Sequence, residues 1–145
     1  MEAAASVAGL IALSDLVVTK GYQYYSAVKG AIPEINELLL EVTQLYGVLN
    51  SLRLVVERLS QCKLGVQQDM IDQAIIKSEY LTTCRNNLNR LKVILAKFDP
   101  TDQTKLGLLK LKALWPLKAG ETQQITRSIQ QNKTNILLAL QVNEM

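Results

Sequence analysis

The sequence contains no histidine, and its two cysteines, Cys62 and Cys84, stand apart without metal-ligand spacing. The missing imidazole excludes histidine general bases, the common Ser-His and Cys-His nucleophile arrangements and most zinc sites. A glycine-rich phosphate loop is also missing. We therefore expect no enzyme activity, no cofactor, no metal and no small-molecule substrate. In a cytosolic chain we expect both thiols to be buried and reduced rather than joined in a disulfide.

Aromatic residues make up only 5% of the 145 residues, and the chain has three prolines and seven glycines. Hydrophobic residues nevertheless reach 48%, so aliphatic side chains must fill the core. Few helix-breaking residues favour long helices over a strand-rich fold. The sequence predicts one all-α domain over residues 1–145, a four-helix-type bundle with an additional short amphipathic helix. It ends without an evident helix cap, which suggests a module cut from a longer protein.

Helical segments are predicted over roughly 3–29, 33–65, 69–98, 105–118 and 120–140. In the second and third segments, apolar residues recur at alternating steps of about three and four, the pattern of helices packed nearly parallel to their neighbours. These residues are Ile35, Leu38, Val42, Leu45, Leu49, Leu52, Val56 and Leu59, then Leu81, Cys84, Leu88, Leu91, Leu95 and Phe98. In the last segment Asn132 falls on the apolar stripe, where it either fixes the helix register or lies at a partly exposed rim.

The opening segment is apolar around nearly its whole circumference, with Asp15 its only charged residue between Ala3 and Thr19. Such a helix must be enclosed by protein or by lipid. It falls just short of the about twenty apolar residues that a membrane span needs. It lacks the positive start of a secretory signal, and a charge at position 15 argues against a permanent anchor. The candidate membrane-inserting residues are Val7, Gly9, Leu10, Ile11, Leu13, Asp15, Leu16, Val17 and Val18.

Positive charge is concentrated late in the chain, with nine cations between Lys77 and Lys118 although the net charge is only +3. These cations either complement the acidic second helix inside the bundle or attract anionic lipid or nucleic acid. The basic, leucine-rich stretch 105–118 suits an anionic membrane surface. Its candidate lipid-contacting residues are Lys105, Lys110, Lys112, Trp115 and Lys118. Alternatively, Trp115 closes one end of the bundle while the lysines stay solvated. Nucleic-acid binding is not expected, because stacking aromatics are scarce.

Several stretches resemble the HeLo-like domains at the N-termini of fungal STAND (NLR-like) proteins. The matching stretches are AGLIALSD at 8–15, then Glu34-Ile35, Leu38, Glu41-Val42, Leu45 and GVLNSL at 47–52, and finally WPLK at 115–118 with Glu121, Ile129, Lys133-Thr134 and 137–140 downstream. The resemblance covers nearly the whole chain, and WPLK is its most specific part.

The resemblance implies a helical bundle that executes or regulates programmed cell death, as in heterokaryon incompatibility and immune-like responses. It implies a cytoplasmic resting state, self-association on activation, and a first helix that enters the plasma membrane. The membrane-active element would then be residues 2–18, with Asp15 facing water inside a pore. The alternative is a soluble oligomerisation or signalling adaptor whose first helix never leaves the core.

Overall fold

The structure is a computed structural model that describes residues 2–28, 31–61, 78–96 and 115–144. These residues form four α-helices: α1 (Glu2–Ala27), α2 (Pro33–Gln61), α3 (Ser78–Leu95) and α4 (Ala119–Glu144). The predicted all-α bundle is confirmed. Of the predicted short helix over 105–118, residues 115–118 are not helical, and the remainder lies outside the described residues.

The helix starts follow from ordinary capping chemistry. Pro33 is the first residue of α2, where its missing N–H leaves no hydrogen bond unmade, and Glu34 lies in the first turn at the positive end of the helix dipole. At the start of α4, the backbone N–H of Lys118 donates to Oε1 of Glu121 at 3.5 Å. This is the side-chain-to-backbone half of a capping box.

The helices form a ring in which α1 and α4 each pack against both α2 and α3. The connection between α1 and α2 is short, so these two helices run in opposite directions. Contacts at two levels, Leu117 beside Ile35 and Lys133 beside Glu41, show that α2 and α4 run in the same direction. The apolar core lies on the common axis of the ring.

The predicted apolar seams form this core. Every described member of the α2 and α3 sets is buried: Ile35, Leu38, Val42, Leu45, Leu49, Leu52, Val56, Leu81, Cys84, Leu88, Leu91 and Leu95. Leu39 and Val55 are buried as well, so the buried stripe of α2 is wide enough to contact both α1 and α4. The remaining predicted members, Leu59 and Phe98, lie outside the described side chains.

Buried hydroxyl groups bond within their own helices. Ser14 Oγ donates to the Leu10 carbonyl at 2.8 Å, and Thr126 Oγ1 donates to the Thr122 carbonyl at 3.0 Å. Both bonds reach back four residues, the usual way for a helix to accept a buried serine or threonine. Across the described residues, every buried side-chain nitrogen and oxygen has a hydrogen-bond partner.

Candidate functional site

The inner face of α1 is a single seam that the sequence analysis did not separate from the rest of the helix. Its members repeat at alternating steps of about three and four, so they lie on one line along the helix. They are Val7, Leu10, Ser14, Val17, Gly21, Tyr24 and Val28, all buried. At Gly21 the two helices approach closely, because a Cβ there would overlap the Leu39 side chain of α2.

The outer face of α1 is exposed, so the expectation that this helix is enclosed on all sides is wrong for these positions. Ala8, Gly9, Ala12, Asp15 and Thr19 all face solvent. Hydrophobic free energy scales with apolar area, and alanine and glycine have little of it. The small side chains of this face can therefore be exposed to water at little cost in free energy. For this reason α1 does not need the polar outer face of an ordinary amphipathic helix. Weighting the sequence by side-chain size, rather than by apolar class alone, would have revealed this face.

The structure divides the candidate membrane-inserting residues into three groups. Val7, Leu10 and Val17 are fully buried in the core. Ile11, Leu13 and Val18 are partly buried and pack against it, and Leu16 is half-buried beside α3. Gly9 and Asp15 are exposed. In this conformation the large side chains of α1 are thus turned towards protein. Among the described helices, none combines the length and hydropathy that crossing a bilayer requires.

A polar cluster ties α2 to α4. Lys133 Nζ lies 3.0 Å from Glu41 Oε2 and also donates to the amide oxygen of Gln44. Gln130 Nε2 donates to the other Glu41 oxygen at 3.0 Å. A carboxylate that accepts from two partners across a helix interface fixes both the separation and the register of the two helices.

A second polar cluster ties α3 to α4. Asn87 Nδ2 donates to Ser128 Oγ at 2.8 Å and to Asn132 Oδ1 at 3.0 Å. Asn132 is only 2% exposed, so the alternative that it lies at a partly exposed rim is wrong. Its role in setting the register stays a prediction, and its partner Asn87 could not be identified from the α4 pattern alone.

The first helix is attached differently. Within the described residues, no ion pair joins α1 to another helix, and its long seam makes apolar contacts. Its polar attachment is at the C-terminal end, where the Tyr24 phenol bonds to the backbone of Trp115. Burial raises the pKa of Tyr24, and that hydrogen bond opposes part of the rise. The rings of Tyr24 and Trp115 also pack together, with centroids 5.9 Å apart.

Trp115 in turn is fixed to α4. Its indole Nε1 donates to Thr122 Oγ1 at 3.1 Å, and that hydroxyl donates to the Lys118 carbonyl at 3.0 Å. The indole is half-buried, and the neighbouring Leu117 is buried. Trp115 therefore packs at one end of the bundle in this conformation, while Lys118 is exposed. The other candidate lipid-contacting residues, Lys105, Lys110 and Lys112, lie outside the described residues.

Cys84 is buried and free, as expected from its place on the α3 seam. Burial raises the pKa of its thiol from 9.0 to about 12. A thiol that stays protonated is a poor nucleophile, so Cys84 acts as a core residue. Cys62 lies outside the described residues. The described part of the chain also holds no cluster of acidic and cysteine residues suited to a metal ion.

No family model, curated protein or solved structure matches this chain. The resemblance to HeLo-like domains therefore stays a prediction that the sequence stretches carry.

Proposed function

We propose that the protein is a cell-death effector domain that rests as a cytoplasmic bundle, self-associates on activation and permeabilises the plasma membrane through α1. The proposal combines the resemblance to HeLo-like domains with one structural observation. Polar clusters tie α4 to both α2 and α3, whereas α1 is held along its seam by apolar contacts.

This difference in attachment decides which helix can move into lipid. Hydrocarbon tails can replace the apolar contacts of a departing helix, because both environments keep its side chains away from water. They cannot replace hydrogen bonds and ion pairs, whose loss leaves polar groups unsatisfied. By this criterion α1 is the helix of the ring best suited to exchange its protein neighbours for lipid.

Release of α1 from the bundle into water alone would cost too much free energy to occur. Exposing a buried leucine or valine costs roughly 1.5–3 kcal/mol, and α1 buries Val7, Leu10 and Val17 among others. Domains of ordinary stability have only about 5–15 kcal/mol in total. Activation therefore requires a membrane to receive the helix and a clustering signal to bias the equilibrium, since a shift needs differential binding to the two states.

In the proposed membrane state, the outer face of α1 keeps the charged Asp15 side chain in contact with water. Ala8, Ala12, Asp15 and Thr19 lie on one side of the helix, opposite the apolar seam. In an assembly of several copies, this small and polar face lines a water-filled path, and the seam turns to lipid. The arrangement spares Asp15 the cost of about 2.5–3.5 kcal/mol for a charge at a bilayer centre. Anionic lipid is the expected target, because the basic region of the chain favours it.

Two exposed glycines supply a matched test. Gly9 on α1 and Gly47 on α2 both have open space where a Cβ would lie, so glutamate at either position leaves the bundle folded. At 3.6 residues per turn, Gly9 lies about 120° around the helix from Asp15, at the border between the outer face and the seam, where neighbouring copies and lipid would meet α1 in the proposed assembly. Gly9→Glu should abolish membrane permeabilisation, and Gly47→Glu should leave it intact.

The measurement is dye release from vesicles of phosphatidylcholine, phosphatidylserine and a nickel-chelating lipid, on which the full chain is clustered through a C-terminal histidine tag. The parent protein should release dye, and the same protein without clustering should not. Release by Gly9→Glu equal to that of the parent would reject insertion of α1. A clustered parent that self-associates but leaves the vesicles intact would identify the adaptor function instead.

A further inference from the structure

A polar bridge between α1 and α4 lies at the C-terminal end of α1, within the part of the chain that the structure describes. The bridge is continuous: the Trp115 backbone N–H donates to the Tyr24 phenol oxygen, the Trp115 indole donates to Thr122, and Thr122 donates to the Lys118 carbonyl. Through these bonds the end of α1 is fixed to the first turn of α4. We name the three side chains of Tyr24, Trp115 and Thr122 the clasp.

We infer that the clasp sets the direction in which α1 leaves the bundle, so that the helix opens from its N-terminal end while Tyr24 stays attached to α4. This inference rests on the proposed function and adds the order of events to it. The clasp would act as a hinge during the first stage of opening and would break only when the whole helix is released.

The distribution of polar and aromatic contacts along α1 supports this order. An open pocket of about 110 Å³ is lined by Tyr24 and Trp115 of the clasp together with Val28, Ile35 and Leu117. Incomplete packing forfeits dispersion contacts, so the aromatic and hydrogen-bonded contacts of Tyr24 and Trp115 carry more of the attachment at this end. Towards the N-terminus, the seam residues Val7, Leu10 and Ser14 make no described polar contact to another helix.

Thr122 and Thr126 provide a matched pair for the test. Both are buried, and each hydroxyl donates to the carbonyl four residues earlier in α4. Only the Thr122 hydroxyl also accepts from the Trp115 indole. Thr122→Val therefore breaks the clasp, whereas Thr126→Val removes the same kind of hydroxyl and leaves the clasp unchanged. Thr122→Ser keeps the acceptor and should behave as the parent protein.

The experiment is native-state hydrogen exchange by mass spectrometry on the full chain in solution, without lipid. Exchange through local opening reports the stability of each segment separately. Loss of one hydrogen bond should raise exchange in residues 15–28 by about three- to tenfold in Thr122→Val. Exchange in α2 and α3 should stay unchanged, and Thr126→Val should not raise exchange in residues 15–28. Trp115→Phe, which keeps an aromatic ring without the N–H donor, should reproduce the effect of Thr122→Val.

Other outcomes overturn the inference. If Thr122→Val and Thr126→Val raise exchange in residues 15–28 by the same factor, the hydrogen bond from the Trp115 indole to Thr122 does not stabilise the end of α1. If Thr122→Val and Trp115→Phe raise exchange equally in all four helices, or fail to fold, these residues stabilise the bundle as a whole and do not direct α1. The proposed function fails separately, through absent dye release, because hydrogen exchange is measured without any membrane.

Discussion

The Nζ atom of Lys133 lies 3.0 Å from Oε2 of Glu41, and the two side chains are only 20% and 14% exposed. The other described ion pair, Arg53 with Glu57, spans 3.8 Å, and both of its side chains are about half exposed. The two ion pairs differ in burial, and burial affects how much each contributes to stability. Water and salt screen an exposed ion pair, so it adds little to the free energy of unfolding.

Glu41→Gln should therefore lower the free energy of unfolding by about 1–2 kcal/mol, between the values for exposed and fully buried pairs. The change leaves the Lys133 ammonium without its counter-charge in a half-buried position. Glu57→Gln is the control and should change stability by less than about 0.5 kcal/mol. Urea denaturation followed by circular dichroism measures both. Equal effects of the two substitutions would show that the α2–α4 cluster does not fix this interface.

Asn132→Ala should lower the free energy of unfolding by about 1–2 kcal/mol, because it removes a buried acceptor from Asn87 and leaves a cavity. Asn135→Ala is the control, since Asn135 bonds to an exposed glutamine on its own helix. A double-mutant cycle of Asn87→Ala with Asn132→Ala should give a coupling energy of at least about 0.5 kcal/mol. Additive effects would mean that the α3–α4 hydrogen bond contributes no energy of its own.

Gly21→Ala should destabilise the bundle by up to about 2 kcal/mol, since the new methyl group overlaps the buried Leu39 side chain and the cost of overpacking exceeds the gain in helix propensity. Gly9→Ala should instead stabilise it by about 0.5–1 kcal/mol, because this helical glycine has open space around it and alanine restricts the unfolded chain. Thermal unfolding of the two variants should shift in opposite directions. A stabilising Gly21→Ala would contradict the close contact between α1 and α2.

Stability should fall at alkaline pH because of Cys84. Its thiol pKa is raised from 9.0 to about 12 by burial, so the folded state holds this proton more tightly than the unfolded state. The resulting stabilisation is fully present below pH 9 and is lost as the pH rises towards 12, with a slope of up to about 1.4 kcal/mol per pH unit.

The Cys84 contribution can be isolated by comparing Cys62→Ser with Cys62→Ser/Cys84→Ala in urea titrations from pH 8 to pH 11. The loss of stability above pH 9 should be smaller in the protein without Cys84. Alkylation of Cys84 at pH 8 should also be limited by opening of α3. Rapid modification of the folded protein, at the rate of an exposed thiol, would contradict the burial of Cys84.

Periodicity alone was sufficient to place the core of α2 and α3, because a seam of leucine and valine has one low-energy arrangement in a bundle. Pro33 likewise marked the start of α2. In α1 the same reasoning could not separate the inner face from the outer one. Ala8 and Ala12 count as apolar, yet they have too little surface to require burial, so the pattern of burial depends on side-chain size.

The clasp depends on contacts that sequence spacing does not encode. From the sequence, Trp115 is either a lipid-contacting candidate or, alternatively, the residue that closes one end of the bundle. Its contact with Tyr24 joins positions ninety-one residues apart (115 minus 24), and only the ring of four helices brings them together. The pairing of Asn87 with Asn132 is similar, since many polar residues of α3 could have faced α4. Long-range partners of this kind follow from the packing angle and register of whole helices.

Trp115 is the only tryptophan in the chain, and its indole lies beside Tyr24 with the ring centroids 5.9 Å apart. The protein therefore carries an intrinsic fluorescent probe at the end of α1, without any label. Separation of the two rings would expose the indole to water, shift its emission to longer wavelength and reduce energy transfer from the tyrosine. A single spectrum can thus report the complete release of the helix in real time, both in solution and on vesicles.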